Sequence, residues 1–300
     1  MSEFRPVPEP AASSEFRPAP EPAASSEFRP APDHGPPPEP VLAAFGVTAP
    51  PRRLAGGKGG TWRAGDVVLK MAEGEAETRW RCEVLTALPP DPRFRVARPV
   101  RAAGGDWLAG GWEAAEAVTG HAQPHRVDDV IRTGQAFHEV ISVLPRPAFL
   151  DDRKDAWSYG DRLAWDEPVP PGSTAPSVHL KPLIDARRPV AVPAQVVHGD
   201  LIGNVLFAPD APPAIIDWPA YWRPPEWAAA VVVVDALCWH GAPARVIDRW
   251  DHLPAWDQML IRALIYRIAT WPAARWVEPP EDAYRPVVDV VLAYAGRRHR

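Results

Sequence analysis

Two patterns of apolar residues divide the chain. Short apolar runs between residues 52 and 115 predict a β-rich part with one helix, and after Gly120 apolar residues recur every three or four positions. The strands are predicted at 67–69, 95–101 and 107–115, and the helices at 75–88, 127–144, 226–239, 256–271 and 283–295. Because strands and helices do not alternate regularly, we expect an α+β fold and not a parallel Rossmann-type sheet.

A twelve-residue repeat fills the N-terminal region. It reads SEFRPVPEPAAS, then SEFRPAPEPAAS, and begins a third time as SEFRPAP. Proline removes backbone donors and the repeat offers little apolar surface to bury, so we expect disorder with polyproline II character over residues 1–40. The functional alternative is a proline-rich ligand for a partner of the SH3 kind.

The composition excludes several classes of function. The chain has 300 residues and a formal net charge of −5, which lacks the basic excess that nucleic acid requires. Its two cysteines, Cys82 and Cys238, are too far apart for a disulfide scaffold or a cysteine metal site. No apolar run is long enough to cross a bilayer, and the N-terminus does not resemble a signal peptide. We therefore expect a cytoplasmic protein without a nucleic-acid or membrane partner.

The strongest candidate site is a polar segment between apolar runs. It begins with His198-Gly-Asp200 and reaches Asn204, and after a short run and a PDAPP turn a second run ends in Asp217. A hairpin of this length would return Asp217 to the side of Asp200 and Asn204. Two carboxylates and an amide oxygen suit Mg²⁺, which bridges phosphates, so the predicted ligand is a nucleotide. The competing interpretation is that each polar residue caps a local turn.

A glycine-rich segment upstream offers a second candidate site. Residues 54–63 read LAGGKGGTWR, and the next apolar run ends at Lys70, one of only four lysines among 33 basic residues. The glycines at positions 56, 57, 59 and 60 would let backbone N–H groups approach a phosphate, and Lys70 would supply an ammonium group. The segment is not a Walker A loop, because no Gly-Lys-Ser/Thr opens a helix. An ordinary glycine-rich hairpin with a solvated lysine is the alternative.

These segments together resemble the aminoglycoside phosphotransferase-like family of the protein-kinase-like superfamily, and are most similar to an actinobacterial group within it. The resemblance covers about residues 52–241 and depends on HGDLIGNVLF, IIDW and the glycine-rich segment with Lys70. It implies a two-lobed fold, with a small β-rich lobe at 41–117 and a helical lobe at 118–300. It also implies ATP and Mg²⁺ as cofactors and a small molecule with a hydroxyl group as acceptor.

The resemblance implies a role for each motif residue. Asp200 corresponds to the catalytic Asp that orients the acceptor hydroxyl and takes its proton, and His198 to the His that braces the catalytic turn. Asn204 and Asp217 correspond to the Mg²⁺ ligands. Asp235 corresponds to the Asp that supports the catalytic loop from a following helix.

Further residues would bind the nucleotide. The resemblance implies that Lys70 contacts the α- and β-phosphates and that Glu77, or alternatively Glu83, pairs with it from the predicted helix. The glycines of the phosphate loop would be Gly56, Gly57, Gly59 and Gly60. Adenine would bind at a hinge over residues 112–117, through backbone groups that include those of Glu113 and Ala114.

One departure keeps two functions open. The interval from Asp200 to Asn204 is one residue shorter than is usual in the family. The predicted function is therefore an ATP-dependent phosphotransferase, and the alternative is a catalytically weak or inactive nucleotide-binding regulatory protein. A protein kinase proper is disfavoured, because the chain passes within ten residues of Asp217 into a predicted helix, without an Ala-Pro-Glu-like segment.

Overall fold

A computed structural model describes residues 35–54, 60–169, 177–273 and 284–298. Most of the N-terminal repeat region and residues 55–59 lie outside these ranges. The described residues form an α+β structure, in which a small antiparallel sheet precedes a mainly helical region. The fold class expected from the sequence is therefore confirmed.

A five-stranded antiparallel sheet forms the small lobe, in the order β1-β2-β3-β6-β5. The strands are β1 Arg52–Arg53, β2 Thr61–Ala64, β3 Val67–Met71, β5 Leu108–Ala109 and β6 Trp112–Glu116. Helix α1, Glu39–Ala44, packs on this sheet through Val41, which joins Leu69 and Trp112 in a small core. The turn between β5 and β6 has positive φ at both Gly110 and Gly111, a conformation that favours glycine.

Helix α2, Glu75–Ala87, connects the small lobe to the larger one. It ends before Leu88 and the prolines that follow, which cannot continue a helix. Trp80 on this helix lies 5.4 Å from Phe149 and 5.2 Å from Trp218, measured between ring centroids. Both partners belong to the larger lobe, so α2 is fixed by contacts across the two lobes.

The larger lobe is built around the apolar helix α7, Pro225–Trp239. Residues Trp227 to Cys238 are buried on all sides, as expected for a helix that is hydrophobic around its whole circumference. The other helices are α3 Val127–Ile141, α4 Phe149–Asp152, α5 Ala156–Ala164, α6 Leu180–Ala186, α8 Trp256–Ala273 and α9 Arg285–Arg298, with 3₁₀ turns at Ala244–Val246 and Asp248–Trp250. Within the described ranges, no helix combines the length and apolarity needed to cross a membrane.

Two short sheets lie next to these helices. Strand β8, Gln195–His198, pairs with β11, Ala220–Arg223, and the second sheet has the order β4-β10-β9-β7. The strands of this second sheet are β4 Arg95–Val96, β7 His121–Ala122, β9 Val205–Ala208 and β10 Ala211–Ile215. Of the strand predicted at 95–101, only Arg95–Val96 forms a regular strand, which pairs in parallel with β10. The following residues contact β6 of the small lobe through a single antiparallel bridge between Pro99 and Ala115.

Candidate active site

Two antiparallel strand pairs bring the polar motif residues to one place. In the first, Val205 pairs with Ile215, and the Ile216 N–H donates to the Asn204 carbonyl at 3.0 Å. In the second, His198 pairs with Ala220. The hairpin expected from the sequence is therefore present, and it places Asn204 across from the residue that precedes Asp217.

His198 is buried beneath the turn that carries Asp200. Its Nδ1 accepts a hydrogen bond from the Asp200 N–H at 3.1 Å, and its Nε2 lies 3.1 Å from the Ile216 carbonyl, to which it donates. Burial lowers the pKa of His198, which agrees with a neutral ring in this tautomer. The ring links the turn at Asp200 to the segment before Asp217. The bracing role of His198 stays a prediction.

The shortened interval between Asp200 and Asn204 still closes into a turn. The Asn204 N–H bonds the Leu201 carbonyl at 3.0 Å, and Gly203 adopts a φ of +82° that favours glycine. The Asn204 side chain donates through Nδ2 to the Asp200 carbonyl at 2.7 Å and lies 3.3 Å from Asp200 Oδ2. Its amide nitrogen therefore faces Asp200, which leaves the amide oxygen on its other side.

Asp200 is also held by Arg267, a residue that the sequence analysis missed. Arg267 of α8 donates to Asp200 Oδ1 at 2.6 Å, and its Nε donates to Asp235 Oδ1 at 2.8 Å while a second bond reaches Asp235 Oδ2. Burial raises the pKa of Asp235 and the Arg267 charge opposes that rise. Asp235 thus contacts the turn that carries Asp200 through Arg267, which lies beyond the region of family resemblance.

Lys70 and Asp217 form a direct ion pair across the two lobes. Lys70 Nζ donates to Asp217 Oδ1, and the Lys70 charge holds the pKa of Asp217 well below its usual range. Asp217 has a φ of +45°, which is unusual for a residue other than glycine and is typical of functional sites. The next residue, Trp218, is buried and donates through Nε1 to the Val197 carbonyl at 3.2 Å, which fixes the chain beside Asp217.

The carboxylate neighbours of Lys70 differ from the expected ones. Lys70 Nζ lies 3.6 Å from Glu113 Oε1, and Arg81 of α2 holds both oxygens of Glu113 at 2.7 and 2.6 Å. Glu77 pairs instead with Arg153, whose Nε lies 3.1 Å from its Oε2. The expected pairing of Lys70 with Glu77 is therefore wrong for this structure. Glu77 is engaged by Arg153, and the carboxylates beside Lys70 are those of Asp217 and Glu113.

Glu83, the alternative partner for Lys70 on α2, and the predicted hinge residues Glu113 and Ala114 do not occupy the positions expected from the sequence. Glu83 is exposed on α2. Glu113 and Ala114 lie in β6, an inner strand between β3 and β5, and the Ala114 carbonyl accepts a hydrogen bond from the Val100 N–H at 2.8 Å. Neither residue is therefore in a connection between lobes. An adenine contact with their backbone groups stays a prediction.

The two ends of the glycine-rich segment lie next to Lys70. The Leu54 N–H donates to the Thr61 carbonyl at 2.9 Å, and Thr61 pairs directly with Lys70 across β2 and β3. Gly60 immediately precedes Thr61. The other predicted phosphate-binding glycines, Gly56, Gly57 and Gly59, lie outside the described residues, as does Lys58. Phosphate binding by this segment stays a prediction.

The chemistry of the site fits Mg²⁺. Asn204 and Asp217 offer an amide oxygen and a carboxylate, and Mg²⁺ is usually held by one or two such ligands together with waters and phosphates. Among the described residues, no group of three or more His, Cys, Asp or Glu could hold a metal ion by itself. Asn204 and Asp217 would supply only part of a coordination shell, and waters and phosphates would supply the rest.

Comparisons with known proteins give structural neighbours but no family match. No family model matches the chain, and no curated protein matches it. An aminoglycoside phosphotransferase from Alicyclobacillus acidocaldarius aligns with 16% identity and a TM-score of 0.49, covering 87% of this chain and 96% of that one. A choline/ethanolamine kinase family protein from Mesorhizobium loti aligns with 17% identity and a TM-score of 0.43, covering 84% and 88%.

A third structural neighbour is described as a putative fructosamine-3-kinase from Haemophilus somnus. It aligns with 12% identity and a TM-score of 0.44, covering 85% of this chain and 95% of that one. At such identities and TM-scores the alignments assign no family and no activity to this chain.

Proposed function

We propose that the protein is an ATP-dependent phosphotransferase that moves the γ-phosphoryl group of ATP to a hydroxyl group of a small molecule. The observation that carries the proposal is that two groups of charged side chains are assembled at the boundary between the lobes. One is Asp200, oriented by Arg267 and Asn204, and the other is Asp217 in contact with Lys70. A carboxylate for the acceptor, a cation for the phosphates and oxygen ligands for a metal are the parts that phosphoryl transfer requires.

Each part has a definite task in this reaction. Lys70 would bind phosphate oxygens as a compact point charge. Asn204 and Asp217 would hold Mg²⁺, which when bound neutralises charge on the phosphates. Asp200 would accept a hydrogen bond from the acceptor hydroxyl and then its proton. Catalysis would come from positioning and from charge stabilisation, since this reaction needs little covalent chemistry from the protein.

The orientation of Asp200 supports its assignment as the catalytic carboxylate. Arg267 contacts one carboxylate oxygen at 2.6 Å, and Asn204 Nδ2 lies 3.3 Å from the other. The backbone N–H of Asp200 donates a hydrogen bond to His198 Nδ1. Main chain and side chain are thus both held before any ligand binds, which reduces the cost of aligning a hydroxyl group.

The alternative is a regulatory protein that binds nucleotide without transferring phosphate, and the short interval between Asp200 and Asn204 keeps it open. Both functions have to accommodate one contact. Lys70 and Asp217 neutralise each other in this structure. A nucleotide would have to compete with Asp217 for Lys70, which would weaken binding unless a metal ion takes over Asp217. Turnover separates the two functions.

The test is phosphoryl transfer from radiolabelled ATP to a panel of sugars, amino alcohols and aminoglycosides, with Mg²⁺ present. We expect transfer to at least one acceptor. Asp200→Asn keeps the size of the side chain and should lower the rate by about 10²–10⁴-fold with nucleotide affinity nearly unchanged. Equal transfer by wild type and Asp200→Asn would contradict the mechanism. Tight MgATP binding without transfer to any acceptor would favour the regulatory alternative.

A further inference from the structure

Lys70 has two carboxylate neighbours in different environments. The Asp217 side chain is 57% exposed, whereas the Glu113 side chain is only 11% exposed. Asp217 lies in an irregular segment with positive φ, and Glu113 lies in the inner strand β6. The two carboxylates therefore differ in how firmly the protein holds them.

Glu113 is positioned from two directions. Arg81 contacts both of its oxygens, at 2.6 and 2.7 Å, and the Arg81 side chain is likewise only 11% exposed. In a shielded environment such a pair is fixed much more strongly than a surface ion pair. Across the sheet, Glu113 pairs directly with Lys70 between β6 and β3. Residues directly opposite each other on antiparallel strands project from the same face, so Lys70 and Glu113 are neighbours by register.

The helix glutamate that would otherwise take this place is engaged elsewhere. Glu77 pairs with Arg153, which also donates to the Ala220 carbonyl at 2.7 Å in the larger lobe. Arg81 lies one turn further along the same helix, and it is the residue that reaches Glu113. The helix thus presents a cation to Glu113, and the carboxylate beside Lys70 comes from the neighbouring strand.

We propose that Glu113, anchored by Arg81, is the carboxylate that positions Lys70 for a nucleotide phosphate. The nucleotide part of this inference rests on the proposed function. Asp217 contacts Lys70 here, but the proposed function needs its carboxylate as a metal ligand. Glu113 remains beside Lys70 whether or not Asp217 is engaged, since its own position depends on Arg81 and on the strand register. Glu113 and Arg81 are positioning residues, because they act through Lys70.

The first experiment observes Lys70 without any nucleotide. The chain has only four lysines, so a protein labelled with ¹³C at lysine Cε gives few signals, and Lys70→Arg identifies the one from Lys70. Glu113→Gln should move the Lys70 signal, and the same should hold for the double variant Arg81→Gln/Glu113→Gln, which leaves no unpaired buried cation. The exposed Glu83→Gln should leave it in place. An unmoved Lys70 signal in both Glu113 variants, in folded protein, would overturn the proposal.

The second experiment measures MgATP affinity by calorimetry on the full chain. Glu113→Gln should raise Kd about tenfold or more, because Lys70 loses its fixed partner, and Glu113→Asp should recover part of the loss. Glu83→Gln is the matched control on the same helix, and it should change Kd by less than about twofold because Glu83 is exposed. Equal Kd values for Glu113→Gln and wild type would overturn the proposal. If wild type binds no MgATP, the proposed function fails, while the lysine spectra still decide whether Glu113 holds Lys70.

Discussion

At the scale of single residues, a largely buried ion pair supports the turn that carries Asp200. Asp235 is 3% exposed, and Arg267 connects it to Asp200. A shielded pair of this kind is costly to break from one side, because the remaining charge has no partner and little solvent. The pair therefore fixes the position of Asp200, and removing one of its partners alone should destabilise the larger lobe.

Arg267→Met should lower the free energy of unfolding by about 3–5 kcal/mol, because Asp235 would remain as an unpaired buried charge. The double variant Asp235→Leu/Arg267→Met should regain most of this loss, since both charges are then gone. Urea unfolding of wild type and both variants measures the difference. Equal stability of the single variant and wild type would show that Asp235 does not depend on Arg267.

The pH dependence of stability should report the buried His138. The Nε2 atom of His138 accepts a hydrogen bond from the backbone N–H of His198 at 2.9 Å. Burial lowers the pKa of His138 to about 3, with a smaller contribution from the neighbouring His198 ring. In the unfolded chain a histidine has a pKa of about 6.5, so only the unfolded state gains this proton as the pH falls below that value. Stability from this residue is therefore present above about pH 6.5, and about 2 kcal/mol of it is lost between pH 7 and pH 5.

Two variants test that pH dependence. His138→Gln can still accept the His198 N–H, and it should reduce the loss of stability between pH 7 and pH 5 by about 2 kcal/mol. The exposed His121→Gln should keep the wild-type dependence. Urea unfolding at both pH values measures the effect. The same pH dependence in wild type and His138→Gln would contradict a neutral, buried His138.

At the scale of elements, helix α5 reaches close to α8 because of one glycine. A Cβ at Gly160 would lie 2.7 Å from the Tyr266 carbonyl oxygen and in contact with Thr270 Oγ1, which itself bonds that carbonyl. Backbone cannot rotate away as a side chain can, so the two helices would have to separate. This close contact supports the part of α8 that carries Arg267.

Gly160→Ala should therefore lower the free energy of unfolding by about 1–3 kcal/mol, although alanine favours helix more than glycine does. Gly296 in α9 is the matched control, because a Cβ there would meet nothing within 4 Å. Gly296→Ala should be neutral or stabilising by up to about 1 kcal/mol. Thermal or urea unfolding of the two variants compares them. A stabilised Gly160→Ala protein would contradict the close packing of α5 on α8.

The elements also show how much of the fold the sequence could predict. The helices at 127–141, 225–239 and 256–273 begin within one residue of their predicted starts, because long apolar periodicity is a strong local pattern. Short helices such as Ala156–Ala164 were missed, since one or two turns carry too little of that pattern. Arg95–Val96 pairs with a strand more than a hundred residues later, and no local pattern encodes such a partner.

At the scale of the whole molecule, the site lies where the two lobes meet. Arg153 connects them, because it pairs with Glu77 of α2 and donates to the Ala220 carbonyl. The Trp80–Trp218 contact adds an aromatic link at 5.2 Å. The motif residues and their hairpin could be predicted from the sequence. The arginines that orient them could not be predicted, because no local sequence pattern indicates an ion pair between segments that are far apart in the chain.

Arg153→Met should loosen helix α2 relative to the larger lobe. The variant removes the partner of Glu77 and the donor to Ala220, so the amides of Glu75–Ala87 should exchange with deuterium faster than in wild type. Exchange in α8 serves as the internal control and should stay unchanged. Equal protection of α2 in both proteins would show that Arg153 does not hold the lobes together.

The central claim is a nucleotide site built on Lys70, Asn204 and Asp217, and calorimetric binding of ATP to the full chain with and without Mg²⁺ tests it most directly. We predict that Mg²⁺ strengthens ATP binding and that Asp217→Asn removes this effect, because the carboxylate that holds the metal is lost. Absence of ATP binding under both conditions would contradict the account, as would binding that is indifferent to both Mg²⁺ and Asp217.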